Sequence, residues 1–187
     1  MPTYQNTSVD SDLLVLGNYK IETAPSAEGT YVNLGAGILN SFNHNPEMYD
    51  VQAGNAPDPI EGVADETATF EFSLIEWDQS VLSVLSSGLM SESSTTTLST
   101  MVAGGATELT PRAFRLTNRR LINTTTVETI ITVFKGTPES GIQITAKSDN
   151  DTDPINTVDY TIEAKLDATR SVAEGQLFSI TKTKLES

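Results

Sequence analysis

Regular alternation of apolar and polar residues is the property of this sequence that most restricts its fold. Every second residue is apolar through residues 67–74, and the same period of two runs through residues 158–166. A period of two is typical of a β-strand that buries one face and exposes the other. Shorter patterns that predict strands lie at residues 19–23, 113–117, 142–146 and 177–181. The sequence therefore predicts a mainly β fold built from antiparallel strands.

Residues 126–134 differ from this pattern because both of their faces carry apolar groups. Val127 and Ile131 would share one face, whereas Ile130 and Phe134 would lie on the other. A strand that is apolar on both faces is typical of a central strand or of a strand that packs against another subunit. Ile130 and Phe134 are therefore candidate residues of an assembly interface.

Turn-forming residues separate the strand patterns in the second half of the chain. Residues 135–141 contain two glycines and a proline, which is typical of a hairpin loop. Residues 149–154 separate the next two patterns. We therefore expect residues 112–183 to form an antiparallel meander of about five strands.

One amphipathic segment predicts a short helix at residues 78–88. Asp78 can accept hydrogen bonds from the free amides of the first turn, and Gly88 supplies a stop. An apolar stripe at helical spacing lies between them and comprises Val81, Leu82, Val84 and Leu85. Because so short a helix is marginal alone, we expect it to dock beside the sheet.

Residues 40–66 fit neither a strand nor a helix pattern because they combine three prolines with little periodicity. We predict a long loop there. Residues 1–16 are expected to form the N-terminal arm of a single domain that spans residues 1–187. A structureless loop of this length in a compact domain usually indicates either a function or an error in the assignment. The loop supplies further candidate residues for an assembly interface, namely His44, Pro46, Tyr49, Pro57, Pro59 and Ile60.

The net charge of −14, from 25 acidic and 11 basic residues, argues against a nucleic-acid-binding protein. The same negative field repels anionic membranes, and no apolar run has the length of a membrane helix. Residues 1–10 lack the features of a signal peptide, so we expect synthesis in a cytoplasm. We expect the one cluster of bases to pair with acidic groups of the chain or of a neighbour; it comprises Arg112, Arg115, Arg119 and Arg120.

The residue types that most enzymes and metal sites need are scarce. The chain has no cysteine and one histidine, His44, so neither a zinc site nor a Ser-His-Asp triad is predicted. The acidic residues 149–153 resemble the start of a calcium loop, but Pro154 stands where that loop needs glycine. We interpret them as an acidic hairpin turn, and the sequence leaves open whether the turn binds a cation. We predict no catalytic residue, no metal site and no cofactor.

Three stretches, in order along the chain, have a recognisable pattern of strands and turns. The first comprises residues 17–20 (GNYK) through 32–36 (VNLGA). The second comprises residues 60–66 (IEGVADE), the strand that follows, Glu76 and the short helix. The third comprises residues 141–149 (GIQITAKSD), the acidic turn and residues 160–170, and it ends at residues 175–180 (GQLFSI). Together they span residues 17–180 and resemble bacteriophage tail tube proteins, which are also called major tail proteins.

This resemblance implies a β-sandwich or half-barrel with one short flanking α-helix and long assembly loops. It implies homohexameric rings that stack into a hollow tube, through which DNA passes into the host without specific binding. The expected partners are copies of the chain itself and the tape-measure, tail-tip and tail-terminator proteins, with no membrane, and the expected location is the phage tail of the virion. Acidic groups would line the channel, with Asp159 and Glu163 as candidates. The short chain, with no additional immunoglobulin-like domain, favours a siphophage with a non-contractile tail, although the sequence leaves a contractile tail open.

Two other classes of protein remain open on the sequence. One is a different virion structural protein, such as a tail terminator or a capsid decoration protein. The other is a non-catalytic β-sandwich binding module. A carbohydrate-binding module would expose a row of aromatic residues, whereas this chain has a single tryptophan, Trp77. The scarcity of catalytic residue types argues against an enzyme.

Overall fold

The computed structural model describes residues 18–51, 60–75, 79–104, 108–122, 125–139, 141–145 and 157–185. In this part of the chain β-strands predominate, so the predicted mainly β, antiparallel fold is confirmed. The strands are β1 (Asn18–Ala24), β2 (Val32–Val51), β3 (Ile60–Leu74), β4 (Met90–Ser94), β5 (Ser99–Ala103), β6 (Arg112–Ile122), β7 (Thr125–Pro138), β8 (Gln143–Thr145), β9 (Thr157–Ala164) and β10 (Phe178–Leu185). The helix α1 is Gln79–Leu85, and a 3-10 turn lies at Val172–Glu174.

Eight of these strands form one antiparallel sheet in the order β10-β7-β6-β1-β2-β3-β9-β8. The last residues of β7 also pair with β9, where Gly136 lies opposite Ala164. The sheet therefore closes on itself as the ring β7-β6-β1-β2-β3-β9, and closure removes most of the open strand edges. β10 and β8 lie outside this ring as the end strands of the sheet. The half-barrel that was expected is thus a small barrel with two flanking strands.

Large apolar side chains on the inward faces of the strands fill the barrel. Phe70 and Phe72 of β3 lie opposite Ile162 and Tyr160 of β9, and all four are almost completely buried. Phe114 of β6 approaches from another side, with its ring centroid 6.5 Å from that of Tyr160. Burial of each such side chain stabilises the fold by roughly 1.5–3 kcal/mol. The period of two in the sequence therefore corresponds to the core of the barrel.

The helix α1 docks on the core through Leu82 and Leu85, which are buried. The hydroxyl of Tyr160 donates a hydrogen bond to the carbonyl oxygen of Leu85 and joins the helix to β9. Gly88 lies in the turn after the helix with a φ of 95°, a left-handed conformation that ends helices. The predicted cap Asp78 lies outside the described residues. In the described part of the chain, no helix is long and apolar enough to cross a membrane.

The prediction of a long loop at residues 40–66 is wrong for most of that range. β2 continues to Val51 and β3 begins at Ile60, so the two strands form a long hairpin. Pro46 is tolerated because β1 pairs with β2 only as far as Ile38, which leaves one side of β2 open at the proline. Backbone pairing between the two strands therefore prevails over the loop composition. Residues 52–59 lie outside the described residues.

The prediction of a simple meander at residues 112–183 is also wrong, although the structure describes five strands in that range. Residues 135–138, which were predicted to begin a hairpin loop, belong to β7. The strand continues there because its last residues pair with β9 and close the barrel. β9 then pairs with β3, and β10 returns to the first part of β7. Closure of the barrel thus requires pairings between strands that are not neighbours in sequence.

Candidate functional site

The outer part of the β2–β3 hairpin extends beyond the barrel as a two-stranded ribbon. β9 pairs with β3 only from Ala68 onward, and β1 pairs with β2 only as far as Ile38. Residues 45–51 and 60–67, here named the β2–β3 arm, therefore pair only with each other among the described strands. The arm is roughly 20 Å long at about 3.3 Å per residue. An isolated two-stranded ribbon is only marginally stable in water, so the arm is suited to a partner surface.

The surface of the β2–β3 arm combines an apolar pair with an acidic pair. Met48 lies opposite Val63, and these side chains are 57% and 53% exposed. Glu47 lies opposite Asp65, and both of these are exposed. Like charges that face each other across two strands are destabilising, and exposed apolar pairs gain stability when covered. The acidic pair therefore favours contact with a basic surface, and the apolar pair, on the opposite face of the ribbon, favours contact with an apolar one.

Of the interface candidates predicted in the supposed loop, His44 and Pro46 lie at the base of the β2–β3 arm. The Nε2 atom of His44 lies 2.5 Å from Oε1 of Glu66, and its ring packs edge-on against Phe178 with centroids 5.5 Å apart. Phe42 stacks beside it on Phe70 of the core, which anchors the arm to the barrel. The other candidates are less fully described. Tyr49 and Ile60 belong to β2 and β3, but their side chains lie outside the described residues, as do Pro57 and Pro59 entirely.

β7 is a central strand, which is one of the two interpretations that the sequence left open, because it pairs with both β6 and β10. Phe134 is only 6% exposed, and the guanidinium of Arg170 lies 3.9 Å from its ring centroid. Its burial therefore comes from within the chain and needs no neighbouring subunit. Ile130 is half-buried on the outer face of the strand, opposite Thr117.

A groove on the outer face of β1, β6 and β7 contains a charge network that was not recognised in the sequence. This β1–β6–β7 groove has a volume of about 530 Å³, and it is lined by Lys20, Glu22, Arg115, Thr117, Arg119, Glu128 and Ile130. Arg115 lies 2.9 Å from Glu22, and Arg119 lies 2.6 Å from Glu128. For these two arginines, the predicted pairing with acidic groups is confirmed. The alternating charges of each strand are visible in the sequence, but the adjacency of β1 and β6 is not.

Glu22 is the most enclosed carboxylate of the groove. Burial alone would raise the pKa of its carboxyl, but hydrogen bonds from Lys20 and Arg115 outweigh that effect and lower the pKa below its ordinary value. Glu22 is therefore held ionised beneath the two bases. Arg115 is also fixed by stacking on Tyr31, with 4.1 Å between its guanidinium carbon and the ring centroid.

The two candidate channel acids share one outer face of the barrel. Asp159 lies opposite Ser73 and Glu163 opposite Thr69, with Glu71 between them on β3. We name this surface the β3–β9 face; its outward residues are Thr69, Glu71, Ser73, Asp159, Thr161 and Glu163. These six residues include three acids and no base, so the face is polar and negatively charged.

Asp159 and Glu163 differ in their local bonding on the β3–β9 face. Asp159 accepts hydrogen bonds from the hydroxyls of Ser73 and Thr145, at 2.5 Å and 3.0 Å. Glu163 lies 3.3 Å from the ammonium of Lys165 at the edge of the face. Asp159 is thus tied into the sheet by two hydroxyls, whereas Glu71 is exposed and accepts one hydrogen bond, from the hydroxyl of Ser41 at 3.1 Å.

A second exposed hairpin follows β3 and the helix α1 in the chain. β4 and β5 form a separate two-stranded sheet that follows α1 and contacts it. Leu98 and Val102 of this hairpin are 65% and 59% exposed. β3 has 15 residues, so its two ends are roughly 45 Å apart. The β2–β3 arm contains the first residues of β3, and the β4–β5 hairpin follows its last residues after the helix.

The described residues contain no group of three or more His, Cys, Asp or Glu side chains arranged to hold a metal ion. The acidic turn at residues 149–153, for which cation binding was left open, lies outside the described residues. The groups whose pKa values are shifted either take part in ion pairs or hydrogen bonds of the fold or are the hydroxyls of buried tyrosines.

Comparison with known proteins shows that the fold is similar to that of a solved structure. No family model and no curated protein matches the chain. The chain is similar to the cryo-EM structure of the anti-feeding prophage cap, described as a tube terminating cap. The two are 9% identical, the match covers 97% of this chain and 98% of the other, and the TM-score is 0.49. A likeness of this strength carries no conclusion about function.

Proposed function

We propose that this protein is a non-enzymatic structural subunit of a bacteriophage tail tube. In this proposal, copies form homohexameric rings that stack into a hollow conduit for DNA. The observation that carries the proposal is the β2–β3 arm, a ribbon with open edges, an exposed apolar pair and an unrelieved acidic pair. Such a ribbon is stabilised by contact with another surface, and the resemblance of the sequence to tail tube proteins suggests another copy as that surface.

Two different exposed hairpins support stacking rather than a closed dimer. The β2–β3 arm and the β4–β5 hairpin are different surfaces, so contact between copies through them would be head-to-tail. Head-to-tail contacts repeat without limit unless a rotation closes them. A tube needs two kinds of contact between copies. One kind closes into a ring, and the other repeats without closure along the axis of the tube.

The β3–β9 face supplies a suitable wall for the conduit. Its acids would repel phosphate groups, and its hydroxyls would keep the wall wetted, so DNA would pass without binding. We therefore propose that Glu71, Asp159 and Glu163 face the lumen. Within a virion the tube would meet tape-measure protein in its lumen and tail-tip and tail-terminator proteins at its ends.

Removal of the β2–β3 arm tests the proposal. Asn45 and Thr67 are opposite partners, so an Asn-Gly turn in place of residues 46–66 should close the shortened hairpin. We expect concentrated wild-type protein to form striated tubes or six-fold rings in negative-stain electron microscopy. The shortened variant should remain monomeric in sedimentation velocity while it keeps the circular dichroism spectrum of a folded β protein.

Four outcomes would count against the proposal or favour an alternative. Wild-type protein that remains monomeric, even when seeded with tail-tip or tape-measure proteins, would refute it. Single rings that never stack would favour a tail terminator, and trimers would favour a capsid decoration protein. Normal tubes from the shortened variant would show that the arm is not the connection between copies.

Charge reversal tests the proposed lumen wall. Tubes that carry Glu71→Lys and Glu163→Lys should retain double-stranded DNA in co-sedimentation, whereas wild-type tubes should not. Glu28→Lys with Glu108→Lys is the matched control, because these exposed acids lie outside the β3–β9 face and change the net charge equally. Equal DNA retention by the two double variants would place the lumen on another face.

A further inference from the structure

We propose that the β1–β6–β7 groove is the docking surface for the β2–β3 arm of a second copy. This inference rests on the proposed self-assembly and adds the receptor surface to it. The first observation is the distribution of charge with depth in the groove. The side chains of Glu22 and Glu128 are 9% and 14% exposed, whereas those of Lys20 and Arg119 are 54% and 67% exposed. The groove therefore presents bases to solvent and keeps its acids beneath them.

The second observation is that the arm presents the complementary groups. Glu47 and Asp65 lie side by side on the ribbon with both carboxylates exposed, so their mutual repulsion is relieved when a base approaches both. Within the described chain, the one contact between an acid of the arm and a basic residue joins Glu66 to His44 and leaves Glu47 and Asp65 without a basic partner. In a protein with a net charge of −14, a surface that exposes several bases is rare, and the groove is such a surface.

Both surfaces also carry apolar groups. Met48 and Val63 lie next to the acidic pair along the arm. Ile130 is half-buried in the floor of the groove, and Leu121 lies on the same outward side of β6 as Arg119 and is 68% exposed. Successive residues of a strand point to opposite faces, so the face of the arm that carries Glu47 and Asp65 would meet the bases of the groove, with Met48 and Val63 on the other face. The mixture of apolar and acidic groups favours the arm over nucleic acid as the occupant of the groove.

The size of the groove suits the arm. The groove spans three neighbouring strands, or roughly 10 Å across at about 4.8 Å between strands. The two strands of the arm are about 5 Å apart, so the ribbon fits within that width. Arg115 and Arg119 are four residues apart on β6, or roughly 13 Å, which allows bases along the groove to reach successive acids of a bound arm.

A charge exchange between the two surfaces tests the inference. Asp65→Lys replaces the repulsive pair on the arm with an attractive one, so the free subunit should be at least as stable as wild type. Its tube assembly should nevertheless need at least about tenfold more protein, because the new lysine would face the bases of the groove. Arg119→Glu should raise the assembly concentration similarly, and the two substitutions together should restore assembly toward the wild-type concentration.

Controls and opposing outcomes complete the experiment. Lys135→Glu, an exposed base of β7 outside the groove, changes the charge equally and should leave assembly unchanged. If circular dichroism shows that Arg119→Glu does not fold, Arg119→Gln replaces it. The inference is then supported if Arg119→Gln raises the assembly concentration to the same extent as Asp65→Lys.

Assembly of both single variants at the wild-type concentration would overturn the inference and leave the tube proposal standing. Loss of DNA binding in the Arg119 variant without a change in assembly would assign the groove to nucleic acid. Absence of any wild-type assembly would refute the tube proposal itself.

Discussion

Gly136 lies at the seam where the barrel closes, and substitution by alanine tests that closure. The residue pairs with Ala164 of β9 and with Arg112 of β6. A Cβ atom added to Gly136 would lie 2.5 Å from Cγ2 of Ile162 and 3.1 Å from two ring carbons of Phe114. Both neighbours are completely buried, so neither can move aside without a disturbance of the core.

The expected cost of Gly136→Ala follows from these distances. Extra atoms in a well-packed core cost about 1–3 kcal/mol of unfolding free energy. For a protein of this length, about 1 kcal/mol corresponds to a shift of roughly 2–4 °C in Tm. We therefore expect a decrease in Tm of about 4–8 °C for a cost of about 2 kcal/mol. Differential scanning calorimetry of the wild-type protein and of Gly136→Ala, at the same protein concentration, measures this decrease in Tm.

Gly141→Ala is the matched control for this experiment. An added Cβ at Gly141 would have no neighbouring atom within 4 Å, so overpacking does not occur there. Both substitutions reduce the entropy of the unfolded chain alike, which stabilises by about 0.4–1 kcal/mol. The difference between them therefore isolates the effect of the seam. An equal or higher Tm for Gly136→Ala would refute the argument that β7 closes tightly onto β9.

Two further predictions concern buried polar groups. Tyr160→Phe should lower the unfolding free energy by about 1–3 kcal/mol, because the carbonyl of Leu85 loses its donor, and an unchanged midpoint in urea would contradict this. Burial raises the pKa of Tyr160. The neutral hydroxyl therefore contributes stability below the ordinary pKa of 10.0, and this contribution is lost as the pH rises above that value. Tyr160→Phe should remove this loss of stability at high pH. The lowered pKa of Glu22 stabilises the fold above the ordinary value of 4.5, and this contribution is lost as the pH falls through the lowered pKa. Glu22→Gln should therefore weaken the dependence of Tm on pH in the acidic range, and an identical pH profile would argue against the pairing of Glu22 with Lys20 and Arg115.

The core strands were predictable because their pattern is local. Residues 67–74 and 158–164 alternate between a buried and an exposed face, and burial imposes that period on the sequence. The short helix was predictable for the same reason, since Leu82 and Leu85 face the core and Gly88 ends the turn that follows.

The β2–β3 arm was not predictable as a pair of strands. Residues 45–48 are exposed on both sides, so no alternation of burial marks them in the sequence, and Pro46 indicates a loop. Cross-strand hydrogen bonds to β3 form the arm nonetheless, and hydrogen bonds of the backbone depend little on the side chains. The acidic character of the β3–β9 face was partly visible, because Asp159 and Glu163 alternate with buried residues in one strand.

By itself, the sequence determined the strand content, the inward and outward residues of the core strands, the helix and the strongly acidic balance. Only the tertiary structure decided which strands are neighbours, and therefore that β7 closes onto β9 and that Glu22 lies beside Arg115, 93 positions further along the chain. The reason is that strands are joined through backbone N–H and C=O groups, which nearly every residue carries. A local pattern specifies a strand and its buried face, whereas its partners depend on the simultaneous packing of all strands around one core.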